Sequence, residues 1–263
     1  MVTSVETVAW QRPLLIFMLS LIHLISDVIV KFGLCWNLLI KKLSATTLSN
    51  NIKKDFLAIQ SDTIKLTKIP KHLAIAFLES SISIHEVAQL VLWSIACGAK
   101  GVSLYDLNGF IKTHQNELET EVNQLIKHLE HKPCDISWNG IKTKSNGSGN
   151  FTSFTICLFS KEDGQEDIVQ AARKLARHVA NGDLKVDEIN ETVLEANLGS
   201  ANKGLPDPEV LLRFGLAHSN QGYPPWQIRL SEIHDIDTHH SVSYLDFLNI
   251  LFKYSRCHQR FGR

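Results

Sequence analysis

The sequence predicts an α/β protein with a largely parallel central sheet and flanking helices, preceded by an N-terminal membrane helix. Three observations carry this expectation. From about His72 onward, short apolar runs alternate with stretches of helical periodicity, the pattern of a parallel sheet with both faces covered. A single strong compositional break, an apolar stretch, lies near the N-terminus. The chain has 263 residues, enough for one sizeable domain and a short membrane segment.

The apolar break covers 14–30 (LLIFMLSLIHLISDVIV) and 32–40 (FGLCWNLLI), between Arg12 and Lys41–Lys42. A span needs roughly 20 mostly apolar residues. His23, Asp27 and Lys31 interrupt this one, and a charge at mid-bilayer costs roughly 2.5–3.5 kcal/mol on insertion scales. A retained single-pass anchor over residues 1–43 is the expectation, with a monotopic helix as its alternative. No small-residue cleavage site follows, which argues against a removed signal peptide. Basic residues are concentrated after the stretch, at Lys41, Lys42, Lys53 and Lys54. The remainder is therefore placed in the cytoplasm, and the sequons at Asn146, Asn150 and Asn190 are expected to go unused.

Residues 44–68 read as a polar linker with a helical part, and 69–263 as the domain. Within it, strands are expected at His72–Leu78, Gly101–Tyr105, Cys134–Trp138, Ser153–Phe159 and Glu209–Phe214. Helices are expected at Ile84–Gly98, Gly109–Leu129, Asp167–Val179, Val186–Leu198, Pro225–Ile233 and Tyr244–His258. The stretch 142–150 (KTKSNGSGN) has loop composition.

Composition excludes some functions. Lys plus Arg and Asp plus Glu number 27 each, so no charge excess points to nucleic acid. Five scattered cysteines with no C-x-x-C pair suggest neither a disulfide framework nor a zinc site.

Several strings, in order, resemble the cis-prenyltransferases, the undecaprenyl and dehydrodolichyl diphosphate synthases. They are IPKHLAIAFLE, GVSLYDLNG, DIVQAARKLARHVANGDL, LPDPEVLLRFG, PPWQIRLSEI and the terminal RCHQRFGR. Within that family the chain is more similar to the accessory subunits, which the membrane segment also fits. The resemblance implies a cis-prenyltransferase-like domain. It also implies where that domain departs from a catalytic one. Catalytic members carry an Asp-Gly-Asn-Gly-Arg loop after the first strand. Here the Asp position is Leu78, followed by Glu79, Ser80, Ser81 and Ile82. Leucine holds neither metal nor phosphate, and without glycines the loop amides lose their close approach to an anion. Arg213 matches the first family arginine, but the second falls at Ser219 and the usual serine at Gln221. Gly-Gly-Arg becomes Asp163, Gly164, Gln165. Glu232 matches the family's acidic residue.

Plainer readings stand beside these. Arg213 is equally well a structural ion-pair residue, and Glu232 a charge on a helix surface. The cluster His234, Asp235, Asp237, His239 and His240 has turn composition and reads as a solvated loop, with no metal expected. Trp93 and Trp226 read as packing residues.

The resemblance implies that the chain has no catalytic residues of its own. It would pair with a catalytic dehydrodolichyl diphosphate synthase subunit at the endoplasmic reticulum membrane, with Mg²⁺ in that partner. The complex would add isopentenyl diphosphate units to farnesyl diphosphate. The segment from Pro206 to Tyr254 would form the interface. Arg260 and Gly262 match the family's Arg-x-Gly tail and would help hold diphosphate in the partner's active site. The rivals are a receptor-type module facing the lumen, which would need a glycosylated sequon, and a self-sufficient prenyltransferase with a rearranged site.

Overall fold

The computed structural model describes residues 17–29, 31–33, 36, 52–127, 129, 134–142, 153–199 and 204–258. The loop beyond Lys142, with Asn146 and Asn150, and the tail residues Arg260 and Gly262 lie outside the described residues. The chain divides into two compact units, Met1–Leu48 and Ser49–Arg263. In the first, residues 17–29 form a helix (α1) whose side chains are exposed. No helix among the described residues is long and apolar enough to cross a membrane.

The second unit is built on a seven-stranded sheet of order β4-β3-β5-β2-β1-β6-β7. Its strands are β1 (His72–Phe77), β2 (Gly101–Asp106), β3 (Asp135–Trp138), β4 (Ile141–Lys142), β5 (Ser153–Phe159), β6 (Val210–Phe214) and β7 (Glu232–Ile236). All pairings are parallel except β3 with β4. β1 and β2 are buried along their whole lengths, as central strands covered on both faces must be.

Side chains along β1 alternate between two cores. Leu73, Ile75 and Phe77 join the larger one. It includes residues of α2 (Ile52–Thr63), α3 (Ile84–Ala96), α5 (Gln115–Lys127) and α8 (Tyr244–Arg256). Trp93 of α3 packs there against Phe247 of α8, with ring centroids 5.8 Å apart, so it is a packing residue. Ala74 and Ala76 point the other way, toward Tyr105, Phe159, Leu211 and Tyr223. Two alanines leave room for the tyrosine and phenylalanine rings.

Most expected elements appear, and the differences have local causes. The stretch read as linker supplies α2, whose Phe56 and Ile59 are buried in the larger core. The long helix expected from Gly109 splits at His114 into α4 (Phe110–Thr113) and α5. The ring of His114 stacks on Phe110 and its Nδ1 meets the Phe110 carbonyl at 2.9 Å. The helix expected over Val186–Leu198 is reduced to a short 3-10 turn and α7 (Glu191–Ala196). Asn190 is extended and its Oδ1 caps the Val193 N–H at 3.0 Å, which starts a new helix instead of continuing one. α6 (Gln165–Ala180) follows expectation. The helix expected over Pro225–Ile233 is absent. That stretch makes turns and then enters β7, which extends the sheet beside β6.

The smaller core contains a buried polar chain. His72 Nδ1 lies 2.7 Å from the Pro206 carbonyl, so it carries the proton and donates. Its Nε2 is 3.1 Å from Ser103 Oγ, which is 2.8 Å from the Tyr223 hydroxyl. Burial lowers the His72 pKa to about 4, against a smaller upward pull from the Pro206 carbonyl. The unfolded chain thus binds a proton at His72 that the folded one refuses between about pH 6.5 and 4. Stability is complete above that window and falls as pH drops through it. We expect urea denaturation at pH 5 to show a stability clearly lower than at pH 7.5, by about 2 kcal/mol if His72 acts alone. His72→Gln should flatten the difference.

Candidate functional site at the carboxyl ends of the central strands

Parallel α/β sheets present binding crevices at the carboxyl ends of their strands. Here that rim holds a cavity of about 590 Å³ walled by residues 77–82, 106–108, Phe110 and Gln221. No lysine, arginine or histidine is in the wall.

Leu78 ends β1. Its N–H donates to the Phe214 carbonyl at 2.8 Å, and a side chain on Gly215 would come within 3.2 Å of the Leu78 carbonyl. Gly215 also has φ +129°, a conformation that favours glycine. β1 and β6 therefore close tightly at the rim.

Glu79 turns away from any cavity ligand. Its Oε2 accepts the His239 backbone N–H at 3.1 Å and is in short contact with His239 Nδ1. The His239 side chain is fully buried, set edge-on against Phe77 with centroids 5.2 Å apart. Its Nε2 accepts the Ser83 N–H at 3.0 Å. An imidazole that accepts at Nε2 and donates at Nδ1 is neutral. Burial alone would raise the Glu79 pKa. Hydrogen bonds from His239 and Thr238 outweigh it and hold the carboxyl below its ordinary value. Ser83 in turn caps α3, and Glu86 in its first turn accepts from Ser241 N at 2.8 Å and meets His240 Nδ1 at 2.7 Å. One clamp thus joins the loop after β1, the start of α3 and the β7–α8 connection.

This clamp is not legible in the sequence, because 160 residues separate Glu79 from His239. The histidine–aspartate cluster expected as a solvated loop is instead partly strand β7, with His239 fully buried. Glu79, His239 and His240 do bring possible metal-ligating atoms within 4.8 Å of one another. However, both ring nitrogens of His239 are already hydrogen-bonded, so the arrangement is explained without an ion.

The other charged groups are committed as well. Asp106 accepts the N–H groups of Phe110 at 2.7 Å and Ile111 at 3.0 Å, capping α4. Lys112 reaches Ser160 Oγ at 3.0 Å and the Asp163 carboxylate. Gly164 has a packing reason: a Cβ there would lie 2.2 Å from the Gly222 carbonyl. Arg213 makes a two-pronged pair with Asp235, at 2.7 and 2.9 Å, and donates to Asn220 at 2.9 Å. These bonds, with His218, hold the Asp235 carboxyl below its ordinary range. The structural ion-pair reading of Arg213 is the one realised. Ser219 is exposed, and Gln221, at φ +41°, turns its carbonyl to the Tyr105 hydroxyl at 2.6 Å.

Glu232 lies on a strand, not a helix surface. It opens β7 opposite Val210, whereas the rim lies at the Phe77–Phe214–Ile236 level. It is therefore at the other end of the sheet from Leu78, 3.1 Å from His234 Nε2.

Comparison with known proteins fits this fold. The family model for undecaprenyl diphosphate synthase matches residues 112–262, more than half of the chain. The chain belongs to the cis-prenyltransferase family. A human relative, "Dehydrodolichyl diphosphate synthase complex subunit NUS1", is 33% identical over 209 residues, covering 78% of this chain and 70% of the relative. The Saccharomyces cerevisiae protein of the same description is 27% identical, over 78% of this chain and 62% of its own length. A synthase of Thermoplasma volcanium, "Tritrans,polycis-undecaprenyl-diphosphate synthase (geranylgeranyl-diphosphate specific)", is 33% identical over 47% of each chain. Among solved structures, lavandulyl diphosphate synthase from Lavandula x intermedia superposes with a TM-score of 0.56 at 20% identity, over 74% of this chain and 99% of that one. That likeness concerns the fold alone.

The family implies Mg²⁺, but the rim of this cis-prenyltransferase homologue does not fit it. Leu78 offers no ligand, and Asp106 and Glu79 are taken up by backbone and histidine donors. Diphosphate fares no better, since Lys112 and Arg213 are neutralised by Asp163 and Asp235 and none of the wall residues is cationic.

The clamp should matter for stability. His239→Ala leaves the Ser83 N–H and the Glu79 carboxylate without their buried partner. We expect a loss of about 1.5–3 kcal/mol in urea denaturation. Glu79→Gln should cost less, because an amide oxygen still accepts from His239.

Proposed function

We propose that the chain is the accessory subunit of a dehydrodolichyl diphosphate synthase complex and does no chemistry alone. The observation that carries this is the rim of the sheet: a cis-prenyltransferase fold whose cavity has a leucine at the metal-binding aspartate position and no cation in its wall. Ionising an allylic diphosphate needs concentrated positive charge, commonly with a divalent metal, and this cavity offers no cationic side chain and a leucine at the metal-binding aspartate position. The relatives named as complex subunits support the same reading.

In this proposal a catalytic subunit binds Mg²⁺ and joins isopentenyl diphosphate units to farnesyl diphosphate. The segment Pro206–Tyr254 packs against it, which would cover the β7 edge and exposed Leu216, Leu230, Ile233 and Leu245. The complex sits at the endoplasmic reticulum membrane with this domain in the cytosol, attached through residues 1–43. The carboxyl-terminal tail reaches the partner's site. Arg260 offers a planar fork for phosphate oxygens, and Gly262 allows a close amide approach.

Two measurements test the proposal. The purified chain alone should show no isopentenyl diphosphate incorporation above background, and the complex co-purified with the catalytic subunit should turn over. Leu78→Asp should not rescue the lone chain, because the phosphate donors are missing too. Robust turnover by the isolated chain would overturn the proposal. In the complex, Arg260→Ala or Gly262→Ala should lower turnover or isopentenyl diphosphate affinity by roughly tenfold or more, the value of a charged phosphate contact, with assembly intact. A complex truncated after His258 that kept full activity would remove the tail from the mechanism.

A further inference from the structure

The polar residues of α1 are not scattered. An α-helix advances ~100° per residue, and residues 17–29 and 31–33 are helical. His23, Asp27 and Lys31 follow one another at four-residue steps, and Ser20 precedes His23 by three. Projected down the axis, these side chains fall within an arc of about 80°. Ser26 borders the arc on one side. The opposite half of the cylinder, about 180° wide, carries Phe17, Leu21, Ile25, Val28, Ile29 and Phe32 with no polar group between them. Side chains on both halves are exposed.

A helix crossing the bilayer would hold His23 and Asp27 at depth, at a cost of several kcal/mol on insertion scales. A helix lying in the membrane surface avoids that cost. Its apolar half enters the acyl boundary, and its polar stripe stays in water. Asp27 and Lys31, one turn apart, partly neutralise each other on that stripe. Phe32 and Trp36 stack with centroids 6.2 Å apart, an aromatic pair of the kind favoured at the headgroup level.

We propose that α1 lies in the plane of the membrane surface, with its apolar half in lipid and the Ser20–His23–Asp27–Lys31 stripe facing water, and does not cross. This rests on membrane attachment through residues 1–43 and replaces the single span expected from composition. The N-terminus would then lie on the same side as the domain.

The test uses the full chain co-expressed with its catalytic partner and carrying an N-terminal tag that contains a glycosylation sequon. In sealed microsomes the chain should sediment with the membranes. The tag should be unglycosylated and should be lost on protease treatment without detergent. The variant His23→Leu, Asp27→Leu, Lys31→Leu keeps only Ser20 and Ser26 as polar groups over this stretch. It should cross, gain the glycan and protect its tag. A glycosylated or protease-protected tag in the wild-type chain would overturn the in-plane helix while leaving attachment intact. The stripe would then have to pack against another membrane helix. Recovery of the wild-type chain in the soluble fraction would overturn attachment itself, and the in-plane helix with it.

Discussion

β1 has no free edge and no wet face, and the rest of the domain follows from that constraint. Its backbone is paired by β2 on one side and β6 on the other, and every one of its residues is buried. Buried backbone groups must find partners, so both neighbours are required, and both faces need apolar cover. Leu73, Ile75 and Phe77 recruit the helices, whereas Ala74 and Ala76 admit Tyr105 and Tyr223. The strand then ends in Leu78, tied to Phe214, where the family's catalytic members end theirs in an aspartate.

Around that end, the charged side chains are paired within the protein. Asp106 caps a helix, Glu79 holds a histidine, Lys112 meets Asp163, and Arg213 meets Asp235. Each pairing satisfies a group that a catalytic site would leave available to substrate. A buried carboxylate without a partner is costly. The charged groups at this rim are therefore stable because they find one another. The Glu79–His239–Ser83 clamp is the clearest case, because it uses the loop that in catalytic relatives cradles phosphate to fix the start of α3.

The two units place different demands on the same chain. The domain hides its apolar residues in two cores, while α1 presents an apolar half-cylinder outward. Its charged and imidazole side chains fall on one stripe. That distribution differs from the all-round apolarity of a buried helix.

Much of this was legible in the sequence. HLAIAF, GVSLY, SFTICLF and VLLRF read as strands because central parallel strands are apolar on both faces. α3, α6 and α8 read as helices from their period. Set against the family resemblance, Leu78 stood where catalytic members carry an aspartate. Other features were not legible. β7 carries a charge or histidine at three of its five positions, Glu232, His234 and Asp235, so no apolar run marked it. Only pairing with β6 makes it a strand. Whether Arg213 faced a ligand or an acid depended on where Asp235 landed, and the partnership of Glu79 with His239 spans most of the domain. Local period and residue type are properties of neighbouring residues, so the sequence by itself determined the fold class, the family and the absence of the aspartate. Which charges meet is decided by strand order and register, which bring distant residues together, and only the tertiary structure could settle it.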